Sequence, residues 1–162
     1  MKKIWTAIFA VLAALANFSH AQVPTATLVR VVRAEDERRF DKTLENLLAN
    51  QNEKIRERGA LAAGRIGDER AVPALVGLLE KDSSATVRAM AAFAVGEIES
   101  AGGADAILKT LGDEKIAAPI RARAVEAAGK IAAAIAASDK KRAEELGEAI
   151  LDAVDFEARQ AK

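Results

Sequence analysis

Ile55-Arg56-Glu57-Arg58-Gly59-Ala60-Leu61-Ala62-Ala63-Gly64-Arg65-Ile66-Gly67-Asp68 decides how the chain is read, because its skeleton is written twice more. An aliphatic-Arg start, a Gly nine residues on and an Ile two beyond that return as Val87-Arg88…Gly96-Glu97-Ile98. They return again as Ile120-Arg121…Gly129-Lys130-Ile131, a period of 32 to 33 residues. A fixed period of that size marks stacked supersecondary units, each too small to bury its own apolar face. Between Arg and Gly the residues are small and mostly apolar: Gly59–Ala63, then Ala91-Ala92-Phe93-Ala94-Val95, then Ala124-Val125-Glu126-Ala127-Ala128.

Each copy reads as a helix. In the second, Val87, Met90, Ala91, Ala94, Val95 and Ile98 fall at i, i+3, i+4, i+7, i+8 and i+11, one stripe at the helical period. A short link follows, Gly67-Asp68 in the first copy and Ser100 to Gly103 in the second, and then a second helix. Val72, Leu75, Val76 and Leu79 form its apolar face, and Ala104, Ile107, Leu108 and Leu111 stand 32 residues later. Pro73 and Pro119 sit in opening turns, where a missing N–H costs little. In the third copy the first helix extends through Ala132–Ala137, Ser138-Asp139 breaks it, and Ala143, Leu146, Ile150 and Val154 carry a closing helix. Ahead of the first copy, Phe40, Leu44, Leu47 and Leu48 mark a helix over Asp36–Ala49, with Leu28, Val31 and Val32 as its shortened partner. At most eight helices in antiparallel pairs make an all-α, short right-handed α-solenoid.

The N-terminus reads differently. Lys2 and Lys3 precede an apolar run from Ile4 to Phe18, and Ser19-His20-Ala21 offers small residues at a cleavage site, the layout of a secretory signal peptide. The run is shorter than the roughly 20 residues that span a bilayer. The expected divisions are a signal peptide at 1–21, a degenerate leading repeat at 22–51, three repeats over 52–157 (52–83, 84–115 and 116–157) and a tail at 158–162. The expected location is outside the cytoplasm, periplasmic or secreted.

Without residues 1–21, the only His (His20) and only Trp (Trp5) are gone, and the chain has no Cys or Tyr at all. What remains carries 22 basic and 24 acidic side chains, evenly spread. That is neither a nucleic-acid footprint nor a polybasic membrane patch, and no disulfide can form. No membrane contact beyond the leader is expected.

Gly64-Arg65-Ile66-Gly67-Asp68 followed by Ala71-Val72-Pro73-Ala74-Leu75…Leu78-Leu79 resembles the HEAT-like repeats of the phycobilisome-lyase type. The resemblance covers about 52–154 and weakens in the third repeat, where Lys140 stands at the position of Leu75 and Ile107. Arg33-Ala34-Glu35-Asp36-Glu37-Arg38-Arg39 together with the leader also looks like exported bacterial multidomain proteins. In those, such repeats precede a cyclophilin-type prolyl isomerase domain, which these residues do not contain.

Neither resemblance brings a catalytic site. No acid–base pair suggests pigment attachment. The di-iron site of the HEAT-repeat deoxyhypusine hydroxylases needs His, and zinc wants thiolate or imidazole. Carboxylates cluster at Glu35-Asp36-Glu37, Asp68-Glu69, Asp113-Glu114 and Glu144-Glu145. They suit helix N-termini and solvated surface better than a hard-cation site, and Gly102-Gly103 lacks the context of a phosphate loop. No catalytic residue, metal or cofactor is therefore expected.

Arg56, Arg88 and Arg121 recur at the repeat period, as an element needed once per stack would, and read as a structural ladder reaching linker carboxylates or carbonyls, with Asp82 and Asp113 as candidates. The surface for a protein partner is expected on the second helices, at Arg70, Glu80, Lys81 and Lys109, with Ala74, Gly77, Ala106 and Thr110 between them. The sequence thus predicts a non-catalytic interaction scaffold in the bacterial cell envelope. The alternative is the leading repeat domain of a truncated envelope enzyme of the prolyl isomerase type. Its partner is accordingly another protein or a missing C-terminal domain.

Overall fold

The computed structural model describes residues 23–161; the leader read at 1–21 and Gln22 lie outside them. Among the described residues are eight α-helices and no strand: α1 Thr25–Asp36, α2 Lys42–Leu48, α3 Glu53–Ile66, α4 Val72–Lys81, α5 Ala85–Ile98, α6 Ala104–Leu111, α7 Ala118–Ile135 and α8 Lys140–Gln160. Short 3-10 turns, Glu69–Ala71 and Ala101–Gly103, lead into α4 and α6. This is an all-α solenoid of stacked helix pairs. First helices (α3, α5, α7) stack in series, and each second helix packs on the first helix of the following unit, α2 on α3, α4 on α5 and α6 on α7.

The motif's Gly is where the stack closes. A Cβ built on Gly64 would lie 2.8 Å from Ala94 Cα, and one on Gly96 would lie 2.6 Å from Ala127 Cα. Carbon atoms in contact sit roughly 3.5–4.0 Å apart, so successive first helices touch backbone to backbone at these two points, and only Gly fits there. Ala62, Ala94 and Ala127, one per unit, are fully buried. Gly129, the third in the series, has only Ile150 Cδ1 nearby, at 4.0 Å.

Helix ends follow local chemistry. The α3 helix stops at Gly67, which takes the left-handed conformation (φ 73°), and Asp68 then caps the next turn through the Arg70 N–H. At the equivalent end of α5 the left-handed residue is Glu99 (φ 58°), with Ser100 accepting from the Gly102 N–H. In α7 the corresponding residues are Ala132-Ala133, which supply neither signal, and the helix runs on to Ile135. Asp139 then caps α8 through the Arg142 N–H at 3.0 Å.

Three expectations need correction. The helix expected over Asp36–Ala49 is the end of α1, a turn with Arg38 at φ 46°, and a shorter α2. Asp41 caps α2 by accepting the Thr43 and Leu44 N–H groups at 2.9 and 3.2 Å. Phe40 supplied a helical spacing but is buried from the loop. The partner helix α1, twelve residues long, is shorter than the other first helices at 14, 14 and 18, but of its expected apolar residues it buries Val31 while exposing Val32 at 55%. In α8 the buried residues are Leu146 and Ala153, whereas Val154 is 52% exposed. That helix also absorbs residues 158–160 of the expected tail.

Candidate functional site

The repeated arginines sit at the starts of first helices and face inward. Arg56 donates to both carboxylate oxygens of Asp82, at 2.6 and 2.8 Å. It also donates to the carbonyls of Asn50 and Gln51 after α2. Arg88 Nε reaches the Leu79 carbonyl at 2.8 Å. Arg121 donates to the carbonyls of Asp113, Glu114 and Ile116 in the link after α6, and its Nε to Glu157 at 2.8 Å. Each one satisfies carbonyls that the end of a second helix, or the link after it, leaves open, and so ties consecutive units together. Arg121 is 3% exposed and is covered by Phe156, whose ring centroid lies 4.3 Å from its guanidinium carbon. Asp82 holds its charge in this setting: the Arg56 guanidinium keeps its carboxyl below the ordinary value.

The residues expected to meet a partner fall into two places. Glu80 and Lys109 pair across units at 2.7 Å, joining α4 to α6. Lys109 thereby lowers the Glu80 carboxyl's pKa, while Lys81 is exposed beside them. Arg70 lies at the opposite end of α4, held by Asp68 at 2.5 Å and reaching the Phe40 carbonyl at 3.3 Å. Ala74 is exposed and Gly77 half-buried, so the ground between is low and flat. Ala106 and Thr110 do not belong to this surface: they are 6% and 7% exposed. The α6 helix is hemmed in by α4, α7 and α8, which widens its buried face, and the Thr110 hydroxyl donates to the Ala106 carbonyl at 2.7 Å.

Other contacts carried no periodic signal. Glu35 accepts two hydrogen bonds from Arg58, both at 2.7 Å, with Arg65 at 3.5 Å, and these hold its pKa below the ordinary value. Glu35-Asp36 therefore ends α1 and anchors it to α3 rather than opening a helix. Phe93, half-buried, lies between Arg123 and Lys130 of the next unit, at 5.1 and 5.2 Å. Lys130 in turn bridges Glu97 and Glu126. Two apolar patches stand at opposite ends of the stack, Leu28, Val29 and Val32 on α1, and Leu151 and Val154 on α8.

Among the described residues no group of three or more His, Asp or Glu side chains converges as metal ligands would. No described helix is long and apolar enough to cross a membrane. Stacked helical repeats bind partners along an extended surface set by the curvature of the stack. The chain belongs to the HEAT repeat family, whose model matches residues 7–89. The match covers α1 to α4 and the start of α5, while the Gly96–Ala127 contact carries the same stacking into the last unit. No curated protein matches.

Proposed function

We propose that this protein is a non-catalytic interaction scaffold of HEAT-like repeats, of the phycobilisome-lyase type, working in the bacterial cell envelope. The observation that carries the reading is the second-helix surface: a flat strip at Ala74 and Gly77 with charge at its ends, Arg70 on one side and the Glu80–Lys109 pair with Lys81 on the other. HEAT repeats commonly mediate protein interactions, and a strip of this kind grips a partner by electrostatic complementarity rather than through a deep aromatic anchor. Proximity labelling should recover a defined set of envelope proteins with the wild type and lose it when Lys81 and Lys109 are both changed to Glu. An unchanged set would overturn the placement of the surface.

Export is supported by the Lys2-Lys3 start, the apolar run and Ser19-His20-Ala21. The family match opens at residue 7, so residues 7–21 carry two competing readings. Mass spectrometry of protein from envelope fractions should find Gln22 at the N-terminus; an intact Met1 on cytosolic protein would sink the export reading.

A further inference from the structure

The internal stack is built from one repeated contact, a motif Gly on one first helix against an Ala on the next: Gly64 on Ala94, then Gly96 on Ala127. Gly129 continues the series, is exposed, and has no first helix packed on it. Nearer the start of α7 lies an open groove of about 410 Å³ between α7 and α8, its walls including Arg121, Ala122, Val125, Ala153, Val154 and Glu157. On α8, Gly147, Leu151, Val154 and Ala158 follow at i, i+4, i+7 and i+11, a second apolar seam beside the one that faces α7. At the other end of the molecule α1 turns Leu28, Val29 and Val32 outward around a depression of about 530 Å³. Contiguous exposed apolar surface at both ends of a stacking fold calls for an occupant.

We propose that the occupant is a second copy of this chain: α1 of one molecule docks head-to-tail onto the α7–α8 face of another, continuing the stack across molecules. Two observations select it. The first is continuity, because α1 is itself a first helix, lying against α3 as a stack element, and the face it would meet presents the next Gly of the series. The second is charge. A helix that continues the series runs alongside α7 and antiparallel to α8. In that register the exposed Arg30 and Arg33 of α1 lie toward Glu148 and Asp155, which flank Leu151 and Val154. Pairing α8 with α8 of a second copy would instead set Glu148 against Asp155 and Glu157, which like-charge repulsion opposes. The contact is heterologous, so each copy keeps one free end after joining.

Sedimentation velocity of the full chain over a dilution series tests this. The wild type should pass beyond a dimer as concentration rises. Val32→Glu blocks the head and Val154→Glu blocks the tail. Both sites are exposed, circular dichroism checks that the fold is kept, and each change should weaken self-association by about tenfold or more, as loss of a central apolar contact does. An equimolar mixture of the two variants should form a 1:1 heterodimer and stop, because only one unblocked head and one unblocked tail remain. A wild type that stays monomeric overturns the proposal and leaves the face to another occupant, such as a following domain. So does assembly that stops at a dimer, or a mixture that fails to pair. Association driven by residues ahead of α1 would ignore Val154→Glu, and that result also overturns it.

Discussion

Three glycines at one motif position should respond to Ala in opposite directions. At Gly96 the new methyl would lie 2.6 Å from Ala127 Cα and 2.8 Å from its Cβ, about 1 Å inside ordinary contact. No rotamer change relieves it, because both partners are backbone or Cβ, so α5 and α7 must separate along their shared face. Overpacking of this kind costs about 2–3 kcal/mol. Ala regains roughly 1 kcal/mol through helix propensity, leaving a net loss of about 1–2 kcal/mol. For a domain near this length that lowers the thermal midpoint by roughly 3–8 °C. Gly64→Ala, with Ala94 Cα at 2.8 Å, should fall in the same direction. Gly129→Ala meets only Ile150 Cδ1 at 4.0 Å, so the propensity gain stands alone and the midpoint should rise by about 2–3 °C. Circular dichroism melts of the three variants at high dilution give the comparison. A loss at Gly129 equal to that at Gly96 would refute the backbone-contact account.

The remaining predictions concern single contacts. Ala94→Leu drives a larger side chain into Gly64 and should cost about 3 kcal/mol, read as a lowered denaturant midpoint. Arg56→Met strips the partner from Asp82, whose side chain is only 4% exposed, and should cost about 3 kcal/mol. Because Arg56 depresses the Asp82 carboxyl, that pair's contribution is intact above the ordinary carboxylate value near 4 and is lost as pH falls through the lower folded value. Stability of the wild type and of an Arg56→Met/Asp82→Asn double variant should therefore converge in acid, and parallel curves would argue against the pair. Glu99→Gly relieves a left-handed non-glycine residue at the end of α5 and should raise stability by roughly 0.5–1 kcal/mol. Chelators should leave the melting temperature unchanged, with a rise of several degrees in calcium as the contrary result.

The repeat could be read because its signal is a backbone requirement: Gly64 and Gly96 must be glycine, and their 32-residue spacing survives any drift in the surface. The inner stripe of Val87, Ala91, Ala94, Val95 and Ile98 was legible for the same reason, since burial at one period leaves a pattern in composition. The leading pair was less so. Phe40 fits a helical spacing with Leu44 yet packs from a loop, and only Asp41, an Asx cap, marks where α2 begins. The surface was hardest. Ala106 and Thr110 are small enough to lie inside or outside, and their burial depends on α8 folding back over α6, a long-range fact that no local period encodes. Glu35–Arg58 and Phe93 with its two cations are single pairings, written once, and periodicity cannot find what does not recur.

The two glycine contacts also bear on how such a chain changes length. Gly64 and Gly96 touch equivalent alanines, Ala94 and Ala127, through equivalent atoms. Excising residues 65–96 would join Gly64 to Glu97 and set it against Ala127, where Gly96 now stands. Leu75 and Leu79 leave with their unit, while Ile107 and Leu111 stay to serve the joined helix. Gene-level loss or duplication of whole units therefore reuses an interface that already exists, and a shift of one or two residues within a unit destroys it. Through this contact the chain can change length in steps of one repeat without a new interface, and within a step it cannot.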